Sequence, residues 1–403
     1  MFVPNSIIAS RLASENVGFW LDYDRTSLTI GIIVKLPTMA IKSILLGAPV
    51  IIHFAMTSGD DNYISLGMSV KDTDDVPLIF VRPIKDEIES PGLIHLINEN
   101  FARISITFFN DLNHSVAYGV VTLDVEIIRE VKAWLIGGFI APTSYAFLNI
   151  LADSFFSEVV ENYICDEKMP TKVASQEMKI NEFKSYPMSV YDKYLPNMHY
   201  DLSVGKDGSE GYVQEEMIAR SLVNLFRGDV IPSPLIMHGN KKRELTDILA
   251  VNGLNVLLIE SKSSAVVERG RLVSFSRSKS ITNRLLKEAL GQITGVAKKC
   301  SLGVKLVDCE REVEINAGHN KHIIIIIPEL SLVEDGEPNQ KVRKIYEATG
   351  CKVHVLDMHA LINFIKLSRN HPPLFWANLD DRFICAYDNK TFNIQDVDSS
   401  LPM

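Results

Sequence analysis

Hydrophobic and polar positions follow two different periods along this chain, and the change falls near residue 206. From about residue 18 to 125, short apolar or alternating runs recur: Phe19–Tyr23, Leu28–Lys35, Pro49–Met56, Tyr63–Val70, Pro77–Arg82, Ala102–Phe109 and Ser115–Asp124. Turn-forming clusters such as Ser58-Gly59-Asp60-Asp61-Asn62 and Asn110-Asp111-Leu112-Asn113 separate some of them. Runs of this length bounded by turn residues read as strands, and their spacing predicts an antiparallel β-rich domain over residues 1–130. Residues 131–205 read as a helical segment and linker. Ser154–Tyr163 carries helical spacing, Met169-Pro170-Thr171 ends it, and the stretch 184–207 is rich in Tyr, Pro and Ser.

After residue 206 helical and strand periods alternate. Glu210–Phe226 predicts an amphipathic helix with Ile218, Leu222 and Leu225 on one face, and Val230–Met237 a strand. Arg243–Val251 and Leu254–Ser261 are apolar runs around Asn252-Gly253, a strong short hairpin signal. A long helix over Thr282–Lys299 is expected next, capped by Ser280 or Thr282. His322–Ile327 holds five consecutive isoleucines, the mark of a strand buried on both faces. Lys341–Ala348 reads as a helix, Lys352–Leu356 as a strand and His359–Ser368 as a helix. The expected fold is α+β overall. An α/β domain with a central mixed sheet spans 206–370, and 371–403 is a C-terminal extension.

Composition adds limits. A chain of 403 residues is too long for one ordinary core, so two domains are expected. With 46% hydrophobic and 23% charged residues it is neither a disordered chain nor a coiled coil. The net charge of −9 argues against a nucleic-acid binder until it is divided. Residues 206–370 hold 24 Lys+Arg against 20 Asp+Glu, a net of +4, which leaves −13 for the remainder. Five scattered cysteines without a Cys-x-x-Cys pair predict reduced thiols and a cytoplasmic protein, and no secretory signal opens the chain. Residues 133–152 lack a charge over 20 positions. Gly137-Gly138, Pro142 and Asn149 interrupt them, which favours a buried helix–turn–helix over a membrane-associated or oligomer-forming segment. His53, His95 and His114 stand isolated and read as structural.

Candidate chemistry concentrates at the hairpin. A two-residue Asn252-Gly253 turn would pair Val251 with Leu254 and set Asp247 opposite Leu258. Glu260 and Lys262 follow at steps of two, so two carboxylates and an ammonium share one face. Hard Mg²⁺ takes such oxygen donors and keeps several waters, with Mn²⁺ as an alternative. A charged face on a solvated strand edge is the plain alternative. On the preceding helix, Glu215 lies on the core-facing side, with Glu216 as its alternate. From Lys262 to Lys287 there are seven basic residues against one acid, Glu268. Arg269, Arg271, Arg277, Lys279 and Arg284 belong to this run, part of which, 271–280, reads as a flexible Ser/Arg-rich loop. It is either merely solvated or suited to following a phosphate backbone. Lys241-Lys242-Arg243 forms a second basic cluster just before the hairpin.

The pattern Glu-Leu-Thr-Asp247 … Glu260-Ser-Lys262, with a glutamate-bearing helix before it and a helix and strand after it, resembles the PD-(D/E)XK nuclease superfamily. The resemblance covers about residues 206–370. It implies a restriction-endonuclease-like fold in which Asp247 and Glu260 bind Mg²⁺, Lys262 orients or activates the attacking water, and Glu215 assists. Thr246 stands where the family's name has proline. Some members carry Gln-x-x-x-Tyr in the next helix; here Gln292 is present but Val296 replaces the tyrosine. The implied activity is metal-dependent hydrolysis of DNA, with RNA or branched DNA as variants. By analogy with bacterial defence nucleases, the chain is expected to act as a homo-oligomer and to answer a protein or phage-derived trigger at its N-terminal domain. A catalytically silent scaffold that binds nucleic acid or protein is the other class of reading.

Overall fold

The computed structural model describes residues 2–392 apart from 16, 25, 27–28, 60, 74–76, 85–89, 99–102, 137, 140–144, 166, 185–187, 190–208, 264–266, 269–270, 273, 308 and 310–311. It divides into two compact units, the first mainly Met1–Tyr191 and the second mainly Gly205–Met403, with Val266–Val273 grouped with the first. Helices and mixed or antiparallel sheets make the fold α+β.

In the first unit the order is α1 (Ser6–Ser14), β1 (Gly18–Asp24), β2 (Thr29–Lys35), α2 (Thr38–Leu45), β3 (Val50–Ser58), β4 (Asn62–Val70) and β5 (Leu78–Pro83). Then come α3 (Ser90–Asn98), β6 (Arg103–Phe109), β7 (His114–Thr122), α4 (Val125–Leu135), α5 (Tyr145–Val159), β8 (Thr171–Met178), β9 (Ile180–Lys184) and β10 (Met188–Ser189). Two sheets result: β1-β2-β6-β7-β10 with β9 also on β7, and β5-β4-β3-β8. The strands fall where the alternation places them, but two expectations need correction. The domain is not wholly antiparallel, because β2 and β6 run parallel from Gly31↔Ser105 to Lys35↔Phe109. A parallel pair needs a long crossover, and the helices α2 and α3 that lie between those strands were not foreseen in the sequence. Residues 131–205 are also more than helix and linker: β8 pairs along β3 from Val50↔Met178 to Thr57↔Thr171 and completes the second sheet. The uncharged stretch 133–152 meets the end of α4 and the start of α5. Among the described residues no helix is long and apolar enough to cross a membrane.

The second unit opens with α6 (Ser209–Phe226), followed by β11 (Val230–Pro232), β12 (Leu235–His238), β13 (Lys241–Glu244), β14 (Ile248–Asn252) and β15 (Asn255–Ser261). The two-stranded ribbon β16 (Val267–Glu268) and β17 (Arg271–Leu272) intervenes. Then come α7 (Phe275–Leu302), β18 (Val304–Val307), β19 (Glu314–Ile315), β20 (Asn320–Ile326), a 3₁₀ turn at Leu330–Leu332, α8 (Gly336–Thr349), β21 (Lys352–Leu356), α9 (Met358–Leu367) and α10 (Pro372–Asn389). The central sheet has the order β11-β14-β15-β20-β21, antiparallel up to β15 and parallel after it. The smaller sheet is β13-β12-β18-β19.

Alternation on the central strands sorts the core. Leu249, Leu258, Ile323, Ile325 and Val353 face Leu286, Leu290 and Ile293 of α7 and Val342 and Ile345 of α8 in one buried cluster. The in-between residues Leu257, Ile259, Ile324 and Ile326 are fully buried too, so the five-isoleucine run is covered on both faces. Ile325→Val is expected to cost the second unit about 1 kcal/mol in urea unfolding; no measurable loss would contradict this packing.

Two expectations fail here as well. From Phe275 on, the expected loop 271–280 is helix: Ser274 accepts a hydrogen bond from the Arg277 N–H and starts α7 at Phe275. Serine at an N-cap satisfies an orphan donor, and the arginines and lysines after it have good helix propensity. Residues 371–392 are not an appendage, since Phe375 and Trp376 of α10 are buried and pack on Phe226 of α6.

At the starts of the parallel strands β20 and β21 lies a polar chain that runs from two buried histidines to a partly exposed ion pair. His322 Nδ1 sits 3.0 Å from His354 Nε2. His322 Nε2 is 3.3 Å from an Asp380 carboxylate oxygen, which also pairs with Lys352. The end of β15 away from this chain, beside the start of β14, carries the candidate site.

Candidate functional site

The hairpin of β14 and β15 does not close on Asn252-Gly253. Its ladder runs from Ile248↔Ile259 to Asn252↔Asn255, so the central turn residues are Gly253 and Leu254. Gly253 has φ +60°, whereas Leu254 is not among the positive-φ residues. Positive φ at the first central position alone is the type II′ turn, which asks for glycine there. The register therefore differs by two residues from the one expected for Asn252-Gly253. Because the side-chain period is also two, every side chain keeps its face. Asp247 precedes Ile248, and continuing the ladder sets it opposite Glu260 rather than Leu258.

Backbone hydrogen bonds fix both strand ends. The Ser233 N–H donates to the Asp247 carbonyl (2.7 Å), and the Lys262 N–H to the Ile326 carbonyl (2.8 Å). The Thr246 hydroxyl donates to the Ile259 carbonyl at 2.7 Å. Asp247 itself accepts the Ser261 N–H on Oδ2 at 2.6 Å. Glu260 is 5% exposed. The Lys262 ammonium lies 2.7 Å from its Oε1.

Three acidic side chains act on one another here. Burial, then the charge of Glu260, pushes the Asp247 carboxyl up to about 7, while the Ser261 N–H opposes the shift; Glu215 adds to it and Lys262 opposes it. Glu215 is raised as well, first by burial, then by Glu244 and Glu260, against Lys262. Carboxylates crowded beside a lysine are the arrangement that active sites use to take up a cation or a proton.

Asp247, Glu260, Lys262 and Glu215 thus share one neighbourhood. The other residues singled out in the sequence lie elsewhere. Glu216 pairs with Arg220 one turn along α6, so Glu215 is the helix acid of the site. Gln292 is exposed on α7. Lys241, Lys242 and Arg243 occupy the exposed strand β13. Lys279 pairs with Glu334 (3.2 Å), Arg284 with Glu288 (3.1 Å) and Lys287 with Glu337 (3.0 Å). Lys279, Arg284 and Lys287 line a groove of about 760 Å³ along α7 together with Ser276, Ser280, Asn283 and the acids Glu288 and Glu334. Arg269 lies outside the described residues, as does the side chain of Arg271, on β17.

Glu244, Gln214 and Ser261 went unrecognised in the sequence. Gln214 donates from Nε2 to the Ser261 hydroxyl at 2.8 Å. Ser261 stands between the two recognised residues, but nothing local in the sequence announces its partner on α6.

The donor set suits a hard divalent cation. Among the described residues no three His, Cys, Asp or Glu side chains are grouped to hold a metal. Mg²⁺ commonly uses only one or two carboxylates, waters and substrate phosphate oxygens, so Asp247 and Glu260 would be enough protein donors for it. No protein-family model, curated protein or solved structure matches this chain.

Proposed function

We propose that the second unit is a metal-dependent endonuclease that hydrolyses phosphodiester bonds in DNA. The carrying observation is that Asp247, hydrogen-bonded by the Ser261 N–H, feels the charge of Glu260, with the Lys262 ammonium on Glu260 and Glu215 supplied by α6. The element order supports the reading: α6, the three antiparallel strands β11, β14 and β15, then α7 and the parallel strand β20. This is the core order that the PD-(D/E)XK resemblance implies.

Asp247 and Glu260 would hold Mg²⁺ or Mn²⁺. When bound, such an ion lowers the pKa of a coordinated water and offsets charge on the phosphate. Lys262 would then leave Glu260, keep its proton and direct it at the nucleophilic water or a non-bridging phosphate oxygen. Glu215, held partly buried, would accept a hydrogen bond from a water in the site. The groove along α7 offers Lys279, Arg284 and Lys287 to backbone phosphates, each after exchange of an exposed glutamate partner. The first unit carries the acidic surplus and would serve recognition of a trigger or partner.

Supercoiled plasmid with Mg²⁺ tests the assignment. Lys262→Ala should lower the cleavage rate about 10²-fold, and Glu260→Ala should do at least as much. Equal cleavage by parent and both variants would remove the assignment. One observation favours a silent nucleic-acid-binding scaffold instead: Lys262 already neutralises Glu260. DNA binding without Mg²⁺-dependent cleavage by the parent chain would select that reading.

A further inference from the structure

We infer that Gln214 and Ser261 form a clamp that positions the metal-binding carboxylates. This rests on the reading of Asp247, Glu260 and Glu215 as the metal site. Alternation along β15 puts Glu260 and Ser261 on opposite faces of the sheet. On the α6 side, Gln214 Nε2 donates to Ser261 Oγ at 2.8 Å. The Ser261 backbone N–H, meanwhile, donates to Asp247 Oδ2 at 2.6 Å.

One residue therefore touches a site carboxylate, Asp247, and the neighbour in sequence of another, Glu215. Its N–H orients the Asp247 carboxylate, and its hydroxyl ties β15 to the residue immediately before Glu215. Ser261 is 8% exposed, so this bond is largely shielded from competing water. Gly211, one turn before Glu215, lies at the same place. A Cβ there would stand 3.6 Å from the Ser263 hydroxyl and 4.0 Å from Glu215 Oε1. The first turns of α6 thus lie against the chain that leaves β15, and Gln214 is the side chain that locks them. Gln214 and Ser261 are positioning residues: neither needs to touch metal or substrate. Residues that orient metal ligands typically contribute 10- to 100-fold in affinity.

The test is calorimetric titration of the full chain with Mn²⁺ alone. Gln214→Leu and Ser261→Ala should each weaken Mn²⁺ binding about tenfold. The double variant should be no weaker than either single one, because both remove the same bond. Ser261→Thr, which keeps the hydroxyl, should bind Mn²⁺ as the parent does. In cleavage, the Mg²⁺ concentration for half-maximal rate should rise by a similar factor, with the rate at saturating Mg²⁺ less affected. A simple loss of folding would not produce that split. Mn²⁺ affinity within twofold of the parent for both single variants, or additive losses in the double variant, would overturn the clamp. If Gln214→Leu fails to fold, Ser261→Ala against Ser261→Thr decides alone. Glu260→Ala abolishing Mn²⁺ binding while Gln214→Leu preserves it would remove the clamp and leave the site standing. Mn²⁺ binding that survives both Glu260→Ala and Asp247→Asn would remove the site itself.

Discussion

Lys262→Met is expected to destabilise the metal-free second unit by about 3 kcal/mol, and millimolar Mg²⁺ is expected to restore part of that loss. The Lys262 ammonium sits 2.7 Å from Glu260 Oε1, with side-chain exposures of 19% and 7%. Removing one partner of a buried pair leaves the other charge desolvated and unmatched, which costs more than the pair contributes when intact. The partial exposure of Lys262 puts the expectation at the lower end of that range. Glu260 also bears on the carboxyls of Asp247 and Glu215, so removing the ammonium leaves it crowded by other acids. Adding Glu260→Gln to Lys262→Met should return most of the stability, since it removes the stranded charge. Hydrogen exchange of the β15 and β20 amides reads the second unit separately from the first. Equal protection in the single and double variants would show that the pair does not act as described.

The second large effect is a loss of stability in acid. Burial holds His322 at about 4, against 6.5 for an ordinary histidine, with Asp380 opposing the shift and Lys352 adding to it. His354 is lowered as well, first by burial, then by His322, Arg382 and Lys352. Asp380 and Arg382 come from α10, and Lys352 and His354 from β21. Both imidazoles are thus neutral in the folded chain where the unfolded chain has begun to protonate. The stability is present above about pH 6.5 and is lost as pH falls from there through about 4. A shift of that size for His322 alone corresponds to about 3 kcal/mol. In the first unit, His53 is lowered to about 4 by burial and contributes in the same direction. His322→Gln should flatten the fall of second-unit stability between pH 6.5 and 4 by close to one proton's worth. Identical slopes in parent and variant would place the acid sensitivity elsewhere.

Much of the architecture is legible in the chain because burial is periodic. The strand Lys352–Leu356 coincides with its expected span, and Ile323–Ile327 could be recognised as doubly buried because no polar residue interrupts it. Helices with weak or masked signals were less visible. The run Ser276–Ser280 looks like a polar loop because its serines and basic residues can face water in either state. The Ser274 cap, the helix propensity of the basic residues and the core contacts further along α7 together favour helix. In the first unit, β8 is half exposed and carries Lys172, Gln176 and Glu177, so alternation was faint; the strand exists because β3 supplies its hydrogen-bond partners.

The candidate site divides along the same line. Residue type and a two-residue period suffice to place Asp247, Glu260 and Lys262 on one face, and the parity survives the change of turn. Which residues face each other depends on hydrogen bonds from outside the hairpin. β14 is bound to β11 and β15 to β20, so the register answers to the whole sheet rather than to Asn252-Gly253. The choice of Glu215 over Glu216 follows from how α6 docks: Glu216 meets Arg220, while Glu215 feels Glu260 and Lys262. Side-chain periodicity is a local property and can be read from the chain in order. Register, docking angle and the Gln214–Ser261 bond join residues far apart in sequence, and their energies exist only once the sheet and helix have packed.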